Sequence, residues 1–597
     1  MTLNGVVSAA ASFLGVEASL TGRAWRARLD AAGEARAQAM AQLSGRGELL
    51  ARILAARGVA QDGVERHLAP TLRELMPDPL QLVDMATATD RLARALRARE
   101  KVAIFGDYDV DGACAAALLS EYLAALGCET LVRIPDRVTE GYGPSVEAMR
   151  DFHAAGADLV VTVDCGAVSF EPFAEAARLG LDVVAFDHHQ APEILPPALA
   201  LVDPNRQDDL SGLNALCATG VVFMALVDLN RRLRGASAAP DLKAKLDLVA
   251  LATIADVVPL VGLNRAFVAR GLETMRRRER PGLAALLDVA GAGGPPTPYH
   301  LGFLVGPRIN AGGRIGDAAL GARLLTTADP GEATKIAAEL DRLNRERQRI
   351  EAAVLAEAEA QALAALGLEE RGPCVVVAAE GWPPGVVGLV ASRLKDRFGR
   401  PAFALALNGA EAIGSARSIP GVDIGRLVHG LVAAGHAVKG GGHAMAAGVT
   451  IRRERLGDLR AHLETALAAP VADARRDSGL AIDAALAAAA ATPELLRAVE
   501  GAGPFGAGNP EPVFALPRHR VEGMALAGAD HLRFRAVAGD GRALEAIAFR
   551  AVDKPLGKGL RALEGGFAHL AGALILDGYG GRERVKLRLI DAAPAPM

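Results

Sequence analysis

Apolar positions change rhythm along this chain. From about Trp25 to Arg99 they recur at three- and four-residue spacing, with Pro70, Pro77 and Pro79 as punctuation, which predicts a helical lead. Residues 1–22 are small and weakly patterned and predict a loose extension. Then VAIF (102–105), LVVTV (159–163) and DVVAF (182–186) appear, short β-branched runs each followed by polar residues. Helical stretches such as ACAAALLSEYLAALG (113–127) and PFAEAARLG (172–180) lie between them. Continuous apolar strands alternating with helices predict an α/β domain whose parallel sheet is covered on both faces.

GAGGPPTP (291–298) reads as a loop. A helix start follows at Asp329-Pro330-Gly331-Glu332, with an acid at the N-cap and Pro at the first helical position. No breaker follows until Gly367, and Ile336, Leu340, Leu343, Ile350 and Val354 are spaced for one face. At 1.5 Å per residue such a helix spans about 55 Å, which favours a rigid connector over a helix within one domain. CVVVAAE (374–380) opens a second α/β unit, an Ala-rich segment (479–500) reads as helical, and short alternating runs from Val513 to Ile590 predict a small antiparallel barrel or sandwich. The expected division is 1–85, 86–328, a connecting helix 329–367, 368–466, and 467–597.

Composition narrows the class. The 597 residues are 51% hydrophobic with a net charge of −4, which excludes a disordered chain, and the 66 glycines show no triplet repeat, which excludes a collagen-like one. The five cysteines, 114, 128, 165, 217 and 374, are widely spaced without a C-x-x-C pair; this fits a reducing cytoplasm and argues against a disulfide framework. No apolar stretch approaches the ~20 residues of a membrane helix. The N-terminus has no basic leader segment and meets Glu17 early. A cytoplasmic protein without membrane contact is expected.

The strongest chemical signal is FGDYDVDG, carrying Asp107, Asp109 and Asp111. Three carboxylates in five residues repel one another unless cations sit among them. An EF-hand is excluded, because Leu118 stands where the loop's closing Glu belongs and a strand precedes the loop. A solvated acidic turn remains the alternative for this segment alone. Asp164 ends the second run, and Asp187 with His188 and His189 ends the third. Parallel strands deliver such residues to one carboxyl edge, where ligand sites lie. Oxygen and nitrogen donors without nearby Cys suit Mn²⁺ or Mg²⁺. Asp256, in LATIADVVPL, taken alone reads as a helix-end carboxylate.

In this order FGDYDVDG, TVDCG, FDHH and IADVVPL resemble the four motifs of the DHH phosphoesterase superfamily. The resemblance implies a site for two divalent cations, Mn²⁺ or Mg²⁺, with Asp109, Asp111, Asp164, His188 and Asp256 as ligand candidates and Asp164 as the bridging one. Asp107 and Asp187 ligate or orient the ligands, and His189 faces the scissile phosphate. Two such cations activate water and stabilise attacking and leaving oxygens.

Residues 440–448, GGGHAMAAG, can form an anion-binding nest, although a tight packed turn explains a glycine run equally well. Upstream, Ser415, Arg417 and Ser418 in GSARSIPG offer hydroxyls and a guanidinium fork; a surface ion pair is the alternative for Arg417. Together the two segments resemble the DHH-associated domain. GPRINAGGR (306–314), PDRVTEGYG (135–143), LDRLNRERQRIE (340–351) and GPFGAGNPEPVF (503–514) resemble segments of the superfamily's single-strand-specific exonucleases; Gly312-Gly313 departs from their pattern, where Ala-Gly is expected. That resemblance implies that Arg308, Ser415 and Arg417 grip a terminal 5′-phosphate. It places Asn310, Arg314, Gly441, Gly442 and His443 along the same cleft, with Tyr142 supporting the strand.

Charge placement adds a last expectation. Residues 511–597 hold 13 basic and 10 acidic residues, net +3, against −7 for the rest. Arg533, Arg535, Arg584, Lys586 and Arg588 alternate along strand runs, so they share strand faces, and Phe549 could stack on bases while Phe534 reads as core. An ordinary β-domain explains this charge as well; position after the two DHH-type domains favours an OB-fold that binds single strands. The expected protein is a monomeric, metal-dependent single-stranded-DNA 5′→3′ exonuclease releasing 5′-mononucleotides in recombination and repair. Its substrate would come from a helicase or a single-strand-binding protein. The alternative is a DHH phosphoesterase for oligoribonucleotides, cyclic dinucleotides or adenosine bisphosphate.

Overall fold

The computed structural model describes residues 12–137, 139–233, 239–367, 370–476, 478–577 and 583–596. The chain forms two compact units, one spanning Leu75–Arg476 and the other built from the segments before and after it.

In the larger unit, five parallel strands lie in the order Thr130–Arg133, Val102–Gly106, Leu159–Val163, Asp182–Phe186, Ala200–Val202. Val102–Gly106 and Leu159–Val163 are buried at every position, as expected for a sheet covered on both faces. Register aligns their ends: Gly106 pairs with Val163, Val163 with Phe186, and Phe186 with Val202. Each of these residues is followed by an aspartate.

The connecting helix runs Pro330–Leu366, capped by Asp329, whose side chain accepts from the N–H groups of Gly331 and Glu332. It is packed along its length and spans no open gap. Its first half lies on the helices Pro281–Val289 and Gly306–Ile315. Val354, Ala358, Ala362 and Leu366 join a core with Val377, Val386 and Ala404. That core belongs to a second sheet, ordered Lys439–His443, Ala446–Arg452, Glu411–Arg417, Ala402–Asn408, Val375–Glu380. Only the last two strands pair in parallel. The helix Leu456–Arg476 continues through position 466, so the boundary expected there falls inside a helix.

In the smaller unit, strands Phe514–Ala527, His531–Val537, Ala543–Ala548, Arg584–Pro594 and Phe567–Asp577 close into a barrel, because the first also pairs with the last. Two sequence expectations are corrected here. Ala24–Ala27, expected within a helical lead, is a strand paired in parallel with Gly479–Ile482, expected within an Ala-rich helix. Apart from a single 3₁₀ turn at Ala488–Ala490, the Ala-rich segment becomes helical only at Pro493–Glu500, behind its Thr492 cap. Tertiary contact decides both cases: Trp25 is fully buried and donates Nε1–H to Asp591 at 3.1 Å, and Leu480 and Ile482 are buried on alternate positions. The segment before residue 75 is therefore not a separate lead. Met40, Ile53 and Leu54 share one core with Phe514, Leu532 and Leu587.

Candidate metal centre and phosphate cleft

The aligned strand ends bring Asp107, Asp164, Asp187 and Asp203 side by side. Backbone pairing continues one residue past the strands, from Asp164 N–H to Phe186 and from Asp187 N–H to Val202. Asp164 adopts φ +61, a left-handed conformation that turns the chain sharply out of the sheet. Asp109 caps the helix Val110–Ala125, accepting from Asp111 N–H and Gly112 N–H. Gly112 is required there, since a Cβ would stand 2.4 Å from the Asp107 carbonyl. Asp256 follows the buried helix Leu246–Ala255.

His188 sits at the centre of these acids. Its Nε2 lies 3.2 Å from Asp164, 3.6 Å from Asp256 and 3.8 Å from Asp111. Burial holds its imidazole below the usual range, which favours the neutral form, and its Nε2 faces oxygens of all three acids. Burial, and then the charges of Asp111 and Asp109, hold Asp164 well above the ordinary carboxylate range; burial and then Asp109 do the same for Asp107. Asp256 is pushed up to about 9, by burial and then by Asp111 and Asp109. Among the described residues, Oδ1 of Asp107 and Oδ1 of Asp164 are buried without a hydrogen-bond partner. Orphaned carboxylate oxygens beside a neutral imidazole are the donor set of a hard divalent cation, so these residues fit one. Their ligand atoms form three groups, Asp107/Asp109/Asp164, Asp111/His188/Asp256 and Asp164/His188/His189, each within 4.8 Å. Asp164 and His188 each belong to two groups.

Asp187 plays a different part. Its carboxylate accepts from the N–H groups of His188 and Ala167 and bonds His189 Nδ1 at 2.8 Å. Burial alone would raise its pKa; the His189 bond and charge outweigh that and hold it low. Burial likewise opposes charge on His189, yet the bond and charge of Asp187 raise it to about 9. The Tyr142 hydroxyl lies 3.0 Å from the same nitrogen and 3.2 Å from the Asp164 carbonyl. His443, from the second sheet, stacks on His189 with ring centres 5.9 Å apart.

Arg314 and Arg417 lie together in the cleft between the two sheets' domains. Arg314 bonds the Gly385 carbonyl at 2.8 Å, where an added Cβ would meet its own backbone at 2.6 Å. Burial, then repulsion from Arg137, Arg347 and Arg417, lowers its pKa to about 10. Arg417 is lowered by burial and by Arg137. Ser415 pairs with Gly448 on the neighbouring strand, and Gly441 with the same glycine from the other side. Gly442, at φ +148, adopts a conformation that a side chain would strain. Half-buried cations that repel each other are the counterpart of the acid cluster, and an anion relieves them.

Three expected substrate contacts also bond within the protein. Arg308 is held by Asp341 of the connecting helix at 2.9 Å and by the Leu304 carbonyl, so it braces the helix. Ser418 is buried, donating to Val422 across a turn at 2.6 Å. Asn310 accepts from Val110 N–H at 3.1 Å and positions the acidic loop. Three residues carry no signal that the sequence motifs pick out, and a fourth, Arg137, lies inside a quoted segment without being singled out. Asp203 follows a strand of only three residues, too short to stand out; burial and the charge of Asp187 raise it to about 7. Asn205 donates to the His188 carbonyl at 2.6 Å. Thr219, at the start of the helix Ala218–Arg232, donates N–H and Oγ–H to Asp111. Arg137, whose guanidinium lies 4.9 Å over the Tyr108 ring, joins the cation group. It stands in the segment PDRVTEGYG, where its charge was the available signal.

In the barrel, Arg533 and Arg535 stand exposed on alternate positions and Phe534 is core, as expected. Lys586 is paired with Asp577 and Glu545, and Arg588 with Glu511. No described helix is long and apolar enough to cross a membrane.

Comparison with known proteins agrees with this layout. Residues 101–253 match the DHH family N-terminal domain, 372–469 the DHHA1 domain and 482–591 the RecJ OB domain. The single-stranded-DNA-specific exonuclease RecJ of Dickeya dadantii is 37% identical over 84% of this chain and 89% of its own length. That of Escherichia coli is 35% identical with the same coverage. The crystal structure of Thermus thermophilus RecJ in complex with Mn²⁺ superimposes with a TM-score of 0.75 at 30% identity, over 96% of this chain and 80% of that one. The Mg²⁺ complex gives 0.70 at 28% identity, over 96% and 79%.

Proposed function

The chain belongs to the RecJ family, and from that premise we propose how its own residues carry out exonucleolytic hydrolysis of single-stranded DNA. It is a single-stranded-DNA-specific exonuclease whose cofactors are divalent cations, Mn²⁺ or Mg²⁺. We further infer that Asp109, Asp111, Asp164, His188 and Asp256 hold the ions, with Asp164 common to two donor groups and the buried Asp107 completing one of them. Bound there, divalent cations supply an activated water and neutralise charge on the departing oxygen.

The protein side chains do the rest. Thr219 and the first turn of its helix hold Asp111 in one orientation, and Asn205 holds the His188 backbone. Protonated His189, fixed by Asp187 and Tyr142, offers positive charge to the scissile phosphate. Arg137, Arg314 and Arg417, with Ser415, Gly441, Gly442 and His443 around them, take a terminal 5′-phosphate, so cleavage runs 5′→3′ and releases 5′-mononucleotides. The barrel, by its RecJ OB-domain match and its exposed Arg533 and Arg535, contributes to binding the strand. A monomer acting in repair and recombination in the cytoplasm, fed by a helicase or a single-strand-binding protein, completes the proposal.

The observation that carries it is the juxtaposition of orphaned acid oxygens and mutually repelling arginines beside one stacked histidine pair. The test is digestion of end-labelled single- and double-stranded DNA with Mn²⁺. Release of mononucleotides from the 5′ end of single strands is expected. Preference for dinucleotides over long strands, or release from the 3′ end, would overturn it.

A further inference from the structure

Among the described residues, Phe303 and Tyr299 are the most exposed aromatic side chains, at 70% and 59%. Their rings stack, with centroids 5.2 Å apart and planes 22° from parallel. They do not sit on a loop. Tyr299 enters a π-helical turn, His300–Val305, which continues without a break into the helix Gly306–Ile315. Wide turns of this kind are uncommon and concentrate at functional sites. On the opposite side of the same turn, Leu301 and Val305 are buried, so the local fold already has its apolar anchors. Nothing in the packing of this helix asks for two large rings in water, and two adjacent exposed rings stacked on each other offer a ready face for a planar ligand.

Position ties the stack to the metal centre. A Cβ on Gly302 would lie 3.3 Å from Ile254, and one on Gly306 would lie 3.4 Å from Ala255, the residue before Asp256. The helix therefore rests on the end of the element that delivers Asp256. Farther along, Asn310 reaches the acidic loop and Arg314 the cation group. Phe303 and Arg314 are eleven residues apart, three turns, and so occupy one side of the helix about 16 Å apart along its axis. A strand whose end lies among the cations has this helix as its wall, with the stacked rings farther out.

We propose that Tyr299 and Phe303 form a stacking platform for bases of the DNA strand beyond the metal centre. The inference rests on the exonuclease reading and deepens it. A π-face accepts any base, so the platform is indifferent to sequence; it requires bases free of a complementary partner, so it favours single strands. The occupant is DNA, because the helix that carries the rings also brings Asn310 and Arg314 to the cleft proposed to take the strand's end.

The test compares two 5′-phosphorylated strands of equal length. One carries bases throughout; the other carries them only on its first nucleotides and abasic sugar-phosphate beyond. For the wild-type protein, KM is expected about tenfold higher on the abasic-body strand, with kcat unchanged, the scale of one stacked base. Tyr299→Ala/Phe303→Ala should show the higher KM on both strands, and Phe303→Trp should keep wild-type discrimination. Anisotropy of the same strands in EDTA, where no hydrolysis occurs, should give the same pattern in affinity. If the double variant keeps wild-type KM, or still distinguishes the two strands tenfold, the platform is overturned. A wild-type protein that hydrolyses neither strand overturns the exonuclease reading instead, and the anisotropy contrast still decides the platform.

Discussion

The acid edge of the parallel sheet concentrates like charge, whereas the outer face of the barrel interleaves basic and acidic side chains, and the two behave in opposite ways. At the sheet edge, Asp107 and Asp164 are buried, with oxygens that no donor satisfies. On the barrel, Arg533 and Arg535 alternate with buried Leu532 and Phe534 and stand in water. Like charges in a low-dielectric site interact strongly, whereas exposed ones are screened within about 10 Å at ordinary salt. The first arrangement needs a counter-ion to be complete; the second tolerates one. Function is therefore concentrated where charge is buried, and the barrel's contribution should be graded and salt-sensitive.

Removing the acid shared by two ligand groups should break this contrast most severely. Asp164→Ala is expected to lower kcat by at least about 100-fold, with folding kept, because it removes a buried repulsive charge. Thermal unfolding and Mn²⁺-dependent hydrolysis check both parts; undiminished activity would overturn the ligand assignment. The half-buried cations come next. Arg417→Ala should lose about tenfold of the preference for a 5′-phosphorylated over a 5′-hydroxyl end, the scale of one charge-assisted bond. Equal loss on both ends would count against a phosphate role.

On the barrel, Arg533→Ser/Arg535→Ser should weaken binding to long single strands severalfold and reduce the salt slope of log K by about 1.4, with dinucleotide hydrolysis unchanged. A salt slope equal to the wild type would mean that these arginines do not meet the strand. The smallest effect is on stability. Asp203 is raised to about 7 and Asp256 to about 9, so between about pH 4 and those values the folded metal-free protein holds more protons than the unfolded chain. Its stability should then fall as pH rises from about 5 to about 8. Asp187, held low, is ionised in both states across that window and adds no slope. Mn²⁺ should restore a few degrees of melting temperature and flatten the pH dependence, since it binds the ionised, folded form. A pH-independent melting curve without metal would show that the acids do not repel one another as described.

Much of the site is legible in the sequence because its chemistry is written in runs of residues. FGDYDVDG and FDHH each place several ligand types within a few positions after an apolar strand, so strand periodicity alone delivers them to one edge. The supporting residues lack such a run. Asp203 follows a strand of three residues, Thr219 is an ordinary helix-start residue, and Asn205 acts on a backbone carbonyl. Arg308 shows the converse limit of local reading. Its segment points to a phosphate, but Asp341 lies 2.9 Å away across the fold, and no local pattern announces a partner 33 positions later.

By itself the sequence determined the α/β alternation, the long helix, the acid and histidine clusters and the alternation of charge in the barrel. These follow from short-range periodicity and from residue chemistry within one segment. Only the tertiary structure decided that Ala24–Ala27 pairs with Gly479–Ile482, that Asp164 and His188 sit in two donor groups each, and that Arg137, Arg314 and Arg417 repel one another in one cleft. Pairing partners, burial and the orphaned oxygens are long-range properties. They arise when separate segments exclude water from one another, and no single segment encodes that.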